Sequence, residues 1–163
     1  MKKNVFTRIL AIALVAMSIM AVSIPALAAT YTYNGSVSRS VLPIYANTNT
    51  NSTIKGYYSQ GDDVSVTTCN NKAWFKVNYN NETGYVRAQY IGILTGGYAS
   101  AVVHNPNGSY VYLYSTPGNS STGFKKLYNA DDIVVLHESY GDYTRVSDGY
   151  QTGWILDSAI YYG

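Results

Sequence analysis

Trp74-Phe75-Lys76-Val77 followed by Thr83-Gly84-Tyr85-Val86 is written a second time, 69 residues on, as Tyr143-Thr144-Arg145-Val146 followed by Thr152-Gly153-Trp154-Ile155. In both copies an aromatic-x-basic-Val run and a Gly-aromatic-aliphatic run flank a short polar connection. Alternation of aliphatic or aromatic with polar residues over such short runs is the signature of half-buried strands. The repeated pair therefore predicts two copies of one β unit.

Working outward, the register of 69 holds without a gap from Val41 to Ile91 and gives ten identities in 51 positions. Among them are Tyr45/Tyr114, Asp62/Asp131, Asp63/Asp132, Val66/Val135, Gly84/Gly153 and Ile91/Ile160. Turn and strand residues repeat together, as a duplicated supersecondary unit requires. Strands are expected near residues 54–58, 64–68, 74–77, 82–86 and at Ile91, and again near 124–127, 133–137, 143–146, 152–155 and at Ile160. Asp148-Gly149 reads as the strong two-residue hairpin signal, because both central positions of that turn want positive φ, and Asn80-Asn81 as the weaker one. No sustained helical period follows the first 30 residues. The expected class is all-β, two tandem small barrels, with repeat 1 at 31–94, a Thr95-Gly96-Gly97 linker at 95–97 and repeat 2 at 98–163. Each copy is near the lower size limit for a domain without staples, so the copies read as beads rather than one large core.

The copies resemble the bacterial SH3 (SH3b) family. The resemblance rests on Gly61-Asp62-Asp63-Val64 before Val66, on the two runs quoted first, and on their counterparts from Ala130 to Ile155. Where the family's first strand carries an Asn-x-Arg before a Gly-Pro turn, this chain has Leu42-Pro43-Ile44-Tyr45 and Val111-Tyr112-Leu113-Tyr114. The turn survives only as Thr116-Pro117-Gly118. The resemblance implies two SH3-like barrels and a non-catalytic module that binds cell-wall peptidoglycan, its cross-bridge peptides or another cell-surface polymer.

The chain opens with Lys2, Lys3 and Arg8, runs uncharged from Ile9 to Ala29, and carries Ala26-Leu27-Ala28 after Pro25. That layout predicts a signal peptide over 1–28, cleaved after Ala28, with an uncleaved anchor as the alternative. Both place the rest outside the cytoplasm, and cleavage leaves no stable membrane insertion. The expected localisation is secreted, free or wall-associated. The lone Cys69 excludes an intramolecular disulfide and points to a bacterial secreted protein that folds on packing alone.

The overall charge of +2 includes the three basic residues of the leader, so the mature chain carries 8 Lys and Arg against 9 Asp and Glu. With nothing basic clustered beyond Lys125-Lys126, a nucleic-acid partner is not expected. Two His and one Cys lack metal-ligand spacing, and no metal or other cofactor is expected. The Asp62-Asp63 and Asp131-Asp132 pairs read as turn stabilisers, since adjacent carboxylates on a strand face opposite ways. Cys69 with His104 or His137 would be the only thiol-hydrolase pairing. Cys69 opens a turn rather than a helix and its repeat counterpart is Glu138, so no enzyme is expected.

What remains is aromatic. All 18 Tyr and both Trp follow the leader, among many Asn and few charges. Flat rings with polar edges suit a neutral polymer of sugars or peptides. If Val77 and Val86 point inward, strand parity turns Trp74 and Tyr85 outward, and likewise Tyr143 and Trp154. These four, with Tyr45 and Tyr114, are the expected ligand-binding residues; rim packing is the alternative for the rings. An extracellular protein-protein interaction module, binding a partner enzyme or host protein, is the competing function.

Overall fold

The computed structural model describes residues 29–163; the expected leader, 1–28, lies outside them. Seven strands form the first sheet: β1 (Thr32–Val37), β2 (Val41–Tyr45), β3 (Ile54–Ser59), β4 (Asp63–Thr68), β5 (Trp74–Tyr79), β6 (Glu82–Arg87) and β7 (Ile91–Ile93). Seven more form the second: β8 (Ala99–Val103), β9 (Tyr110–Tyr114), β10 (Gly123–Tyr128), β11 (Asp132–Tyr140), β12 (Tyr143–Ser147), β13 (Thr152–Leu156) and β14 (Ile160–Tyr161). The strand orders are β3-β2-β6-β5-β4-β1-β7 and β10-β9-β13-β12-β11-β8-β14, the same topology twice. A single 3₁₀ turn, Ala88–Tyr90 or Asp157–Ala159, precedes each last strand. The all-β class is what the alternation predicted, and two SH3-like barrels are what the resemblance implied.

Each barrel closes on its own aliphatic row. Leu42, Ile44, Val64, Val66, Phe75, Val77, Val86, Ile91 and Ile93 fill the first; Leu113, Leu127, Ile133, Val135, Val146 and Ile155 fill the second. The repeated glycine of the motif sits where these rows approach most closely. A Cβ on Gly84 would lie 2.4 Å from Ile44, and one on Gly153 2.7 Å from Leu113.

Turn chemistry differs from expectation at one place and agrees at another. Asn80 and Asn81 both have positive φ (52° and 63°), and Tyr79 pairs with Glu82 across them. They form the tight two-residue hairpin. In the second barrel Ser147 pairs with Thr152 around a four-residue loop, in which only Gly149 has positive φ and Asp148 Oδ1 accepts from the Tyr150 and Gln151 amides. The Asp148 side chain folds the backbone into this wider loop, displacing the expected Asp-Gly turn. The aspartate pairs act as read: Asp62 accepts from the Ser59 amide and Asp131 from the Tyr128 amide, each at 2.8 Å.

The two cores stay separate, yet the barrels share a packed seam. The pairing of β11 with β12 shifts between Val135 and Ser139, and Leu136, in that bulged stretch, packs into the first barrel's core. Ser147 Oγ accepts from the Ile93 amide at 2.8 Å, Thr152 donates to the Ile91 carbonyl at 2.7 Å, and the Tyr33 hydroxyl accepts from the His137 amide at 3.0 Å. Arg145, wholly buried, pairs with Glu138, donates to the Lys72 carbonyl at 3.1 Å, and lies 4.1 Å over the Phe75 ring. The linker glycines thus join surfaces that already fit.

Candidate functional site

The six predicted aromatics gather into two equivalent trios. Tyr45 ends β2 and pairs in register with Tyr85 on β6, while its ring meets Trp74 edge-on at 5.5 Å. In the second barrel Tyr114 ends β9 and pairs with Trp154, and its ring meets Tyr143 edge-on at 6.1 Å. Tyr45 and Tyr114 are the last residues of their strands.

Parity gave the correct side of the strand for the two tryptophans but the wrong exposure. Trp74 points away from the core row, yet it is 2% exposed, roofed by Tyr45 and by the Arg87 guanidinium 5.3 Å from its ring. Trp154 is 0% exposed because the first barrel's Asn70–Lys72 turn lies on it and the Lys72 carbonyl accepts its indole N–H at 3.1 Å. Neither indole presents a free face, so the expectation that both are stacking platforms is corrected: they support their neighbours. Tyr45, Tyr85, Tyr114 and Tyr143 remain partly exposed. Burial raises the Tyr114 hydroxyl above its ordinary pKa, keeping it a neutral donor.

The first barrel adds a feature the sequence reading missed. Arg39, in the β1–β2 connection, and Arg87, at the end of β6, line one cavity of about 310 Å³ with Leu42, Pro43, Tyr45 and Tyr90; Thr50 closes its rim. Arg39 lies 4.7 Å over the Tyr90 ring. Leu156 and Ala159 stand in the second barrel where the first has Arg87 and Tyr90, and its β8–β9 connection, residues 104–109, holds no arginine, so the second barrel has no counterpart. Comparing the copies for divergence, rather than agreement, is the sequence signal that marks this site.

The second barrel instead carries a strip of tyrosines. Tyr128, Tyr110, Tyr112, Tyr114 and Tyr143 follow one another at 6.1, 5.5, 6.3 and 6.1 Å between ring centres, with the Lys126 ammonium 4.0 Å over Tyr110. In the first barrel the matching positions are Ser59, Val41, Pro43, Tyr45 and Trp74.

Cys69 and His137 do line a common cavity at the seam, of about 250 Å³. The thiol donates to the Trp74 and Asn71 carbonyls at 3.4 and 3.5 Å, and burial raises its pKa, opposite to what a nucleophile needs. The His137 ring is stacked on Tyr31 at 4.9 Å. Among the described residues no group of His, Cys, Asp and Glu is arranged to hold a metal ion.

The fold defines the class: an SH3-like barrel, present twice. Residues 40–92, within the first of the two, match the bacterial SH3 domain family. No curated protein matches the chain. Among solved structures it is similar to NlpC2 from Trichomonas vaginalis, at 16% identity over 82% of this chain and 49% of that one, with a TM-score of 0.35. It is similar also to NlpC1 from the same organism, at 16% identity over 83% and 48%, with a TM-score of 0.35. The chain spans about half the length of those structures.

Proposed function

We propose that this is a secreted, non-catalytic binding module for the bacterial cell wall, taking peptidoglycan or its cross-bridge peptides in the first barrel's groove. The observation that carries the reading is the cavity between Tyr45, Pro43 and Tyr90, with two guanidiniums at its edge, on a bacterial SH3 domain. Apolar rings and a few convergent polar groups are what small-ligand sites are made of. The signal-like leader delivers the module to the wall.

Sedimentation with washed bacterial walls tests the reading. The protein pellets with walls and stays in solution without them, and Tyr45→Ala with Tyr90→Ala releases it. Recovery in the supernatant at both low and physiological salt overturns the proposal. Wall turbidity stays constant; a fall that disappears in Cys69→Ser would make the protein a hydrolase instead.

The tyrosine strip favours a second reading, a protein partner on the second barrel. Tyrosine is enriched at protein interfaces because it offers rigid amphipathic area. Capture of a single partner enzyme or host protein, lost in Tyr112→Ala and Tyr128→Ala, with no wall retention, would establish it.

A further inference from the structure

We infer that Arg39 and Arg87 make the first barrel's groove a carboxylate site, whose ligand is a peptide carrying a free carboxylate next to a small apolar side chain. The inference rests on the wall-binding reading and names the ligand class of that groove.

Charge is the first argument. The ion pairs among the described residues are Lys55–Glu82, Lys72–Glu138, Lys125–Asp148 and Arg145–Glu138. Arg39 and Arg87 belong to none of them, and no carboxylate lines the cavity they share. Arg87 has one weak side-chain partner, the Gln89 amide oxygen at 3.4 Å. Two unpaired guanidiniums converging on one cavity call for an anion.

Preorganisation is the second. Each guanidinium rests on an aromatic ring, Arg39 on Tyr90 at 4.7 Å and Arg87 on Trp74 at 5.3 Å. Rings that hold the planar forks in place reduce the ordering cost of gripping a ligand. This gives Trp74 its role: buried itself, it positions Arg87. The cavity wall is the third argument. Leu42, Pro43 and the Tyr45 ring form its apolar side, which favours an anion attached to a small aliphatic group over a phosphodiester of a polyol. With Leu156 at the Arg87 position and no arginine in its β8–β9 connection, the second barrel lacks the fork, and the described residues carry one such site.

The test measures binding of tri-alanine, as the free acid and as the C-terminal amide, by NMR titration of the protein. The free acid shifts amides around Arg39 and Arg87, and the amide binds at least about tenfold more weakly, as loss of a charge-assisted bidentate contact requires. Arg39→Gln with Arg87→Gln abolishes the difference, whereas Lys76→Gln, which removes an exposed charge from the same barrel, keeps it. Thermal unfolding of the double variant at the parent midpoint shows that the fold is intact. Equal affinity for acid and amide, or no shift with either, overturns the inference. So does displacement of the protein from walls by poly(glycerol phosphate) but not by the free acid, which would make the ligand a phosphodiester polymer. Wall sedimentation separates the two levels: a double variant that still pellets overturns the carboxylate site alone, while a parent protein that never pellets overturns the wall-binding reading.

Discussion

Ala130 occupies the turn position that Gly61 holds in the first copy, and both have positive φ, 71° and 90°. A Cβ in that region meets the adjacent carbonyl, which glycine avoids. Ala130→Gly is therefore expected to stabilise the protein by about 1 kcal/mol, read as a higher urea midpoint at unchanged slope. Lys76 and Arg145 form a second matched pair with opposite surroundings: one is exposed, the other 0% exposed and ion-paired. Arg145→Ala should cost about 3 kcal/mol, because it leaves the buried Glu138 carboxylate with only the Lys72 ammonium at 3.4 Å. Lys76→Ala should stay within about 0.5 kcal/mol of the parent in the same titration. The sequence shows both residues as the basic position of one motif; the difference arises from what the other barrel lays over them.

At the scale of elements, alternation made legible the strands with strong aliphatic rows, β4 to β6 and β11 to β13. It missed β1, whose Thr32-Tyr33-Asn34-Gly35-Ser36-Val37 mixes small and polar residues and owes its pairing to Val64 and Val66 across the ladder. It also missed β8, a run of small residues. Parity assigned sides correctly because the two-residue period is local, whereas exposure is set by neighbours distant in sequence. For the same reason Arg39, Arg87 and Tyr90 were silent: they come from a connection, a strand end and a 3₁₀ turn, and no local pattern links them. The bulged β11 gives a prediction of its own. Leu136→Ala leaves a hole in the first barrel although the residue belongs to the second, and should cost about 3 kcal/mol. Hydrogen exchange would show it as lost protection at Val66 and Phe75; loss confined to the second barrel would contradict this packing.

For the whole molecule, the seam links two cores that the sequence reads as independent. The Ile93 amide, the Ile91 carbonyl, the Tyr33 hydroxyl and the Lys72 carbonyl all find partners across it. Separating the barrels would expose Leu136 and Trp154 and leave these buried groups unpaired. Calorimetry should accordingly give one transition, with calorimetric and van't Hoff enthalpies equal, where two resolved peaks would show that the barrels unfold separately.

The seam is also directional. The first barrel offers β7, Tyr33 and the turn at Lys72, and the second offers β11 to β13, so the contact is head-to-tail. A further barrel arriving in the same orientation would land on Tyr85 and find Lys76 and Cys69 where Arg145 and Glu138 stand. That exchange removes both the guanidinium that grips the incoming carbonyl and the carboxylate that balances it. The outer end of the array is thereby blunted, in the manner of a terminal cap on a solenoid.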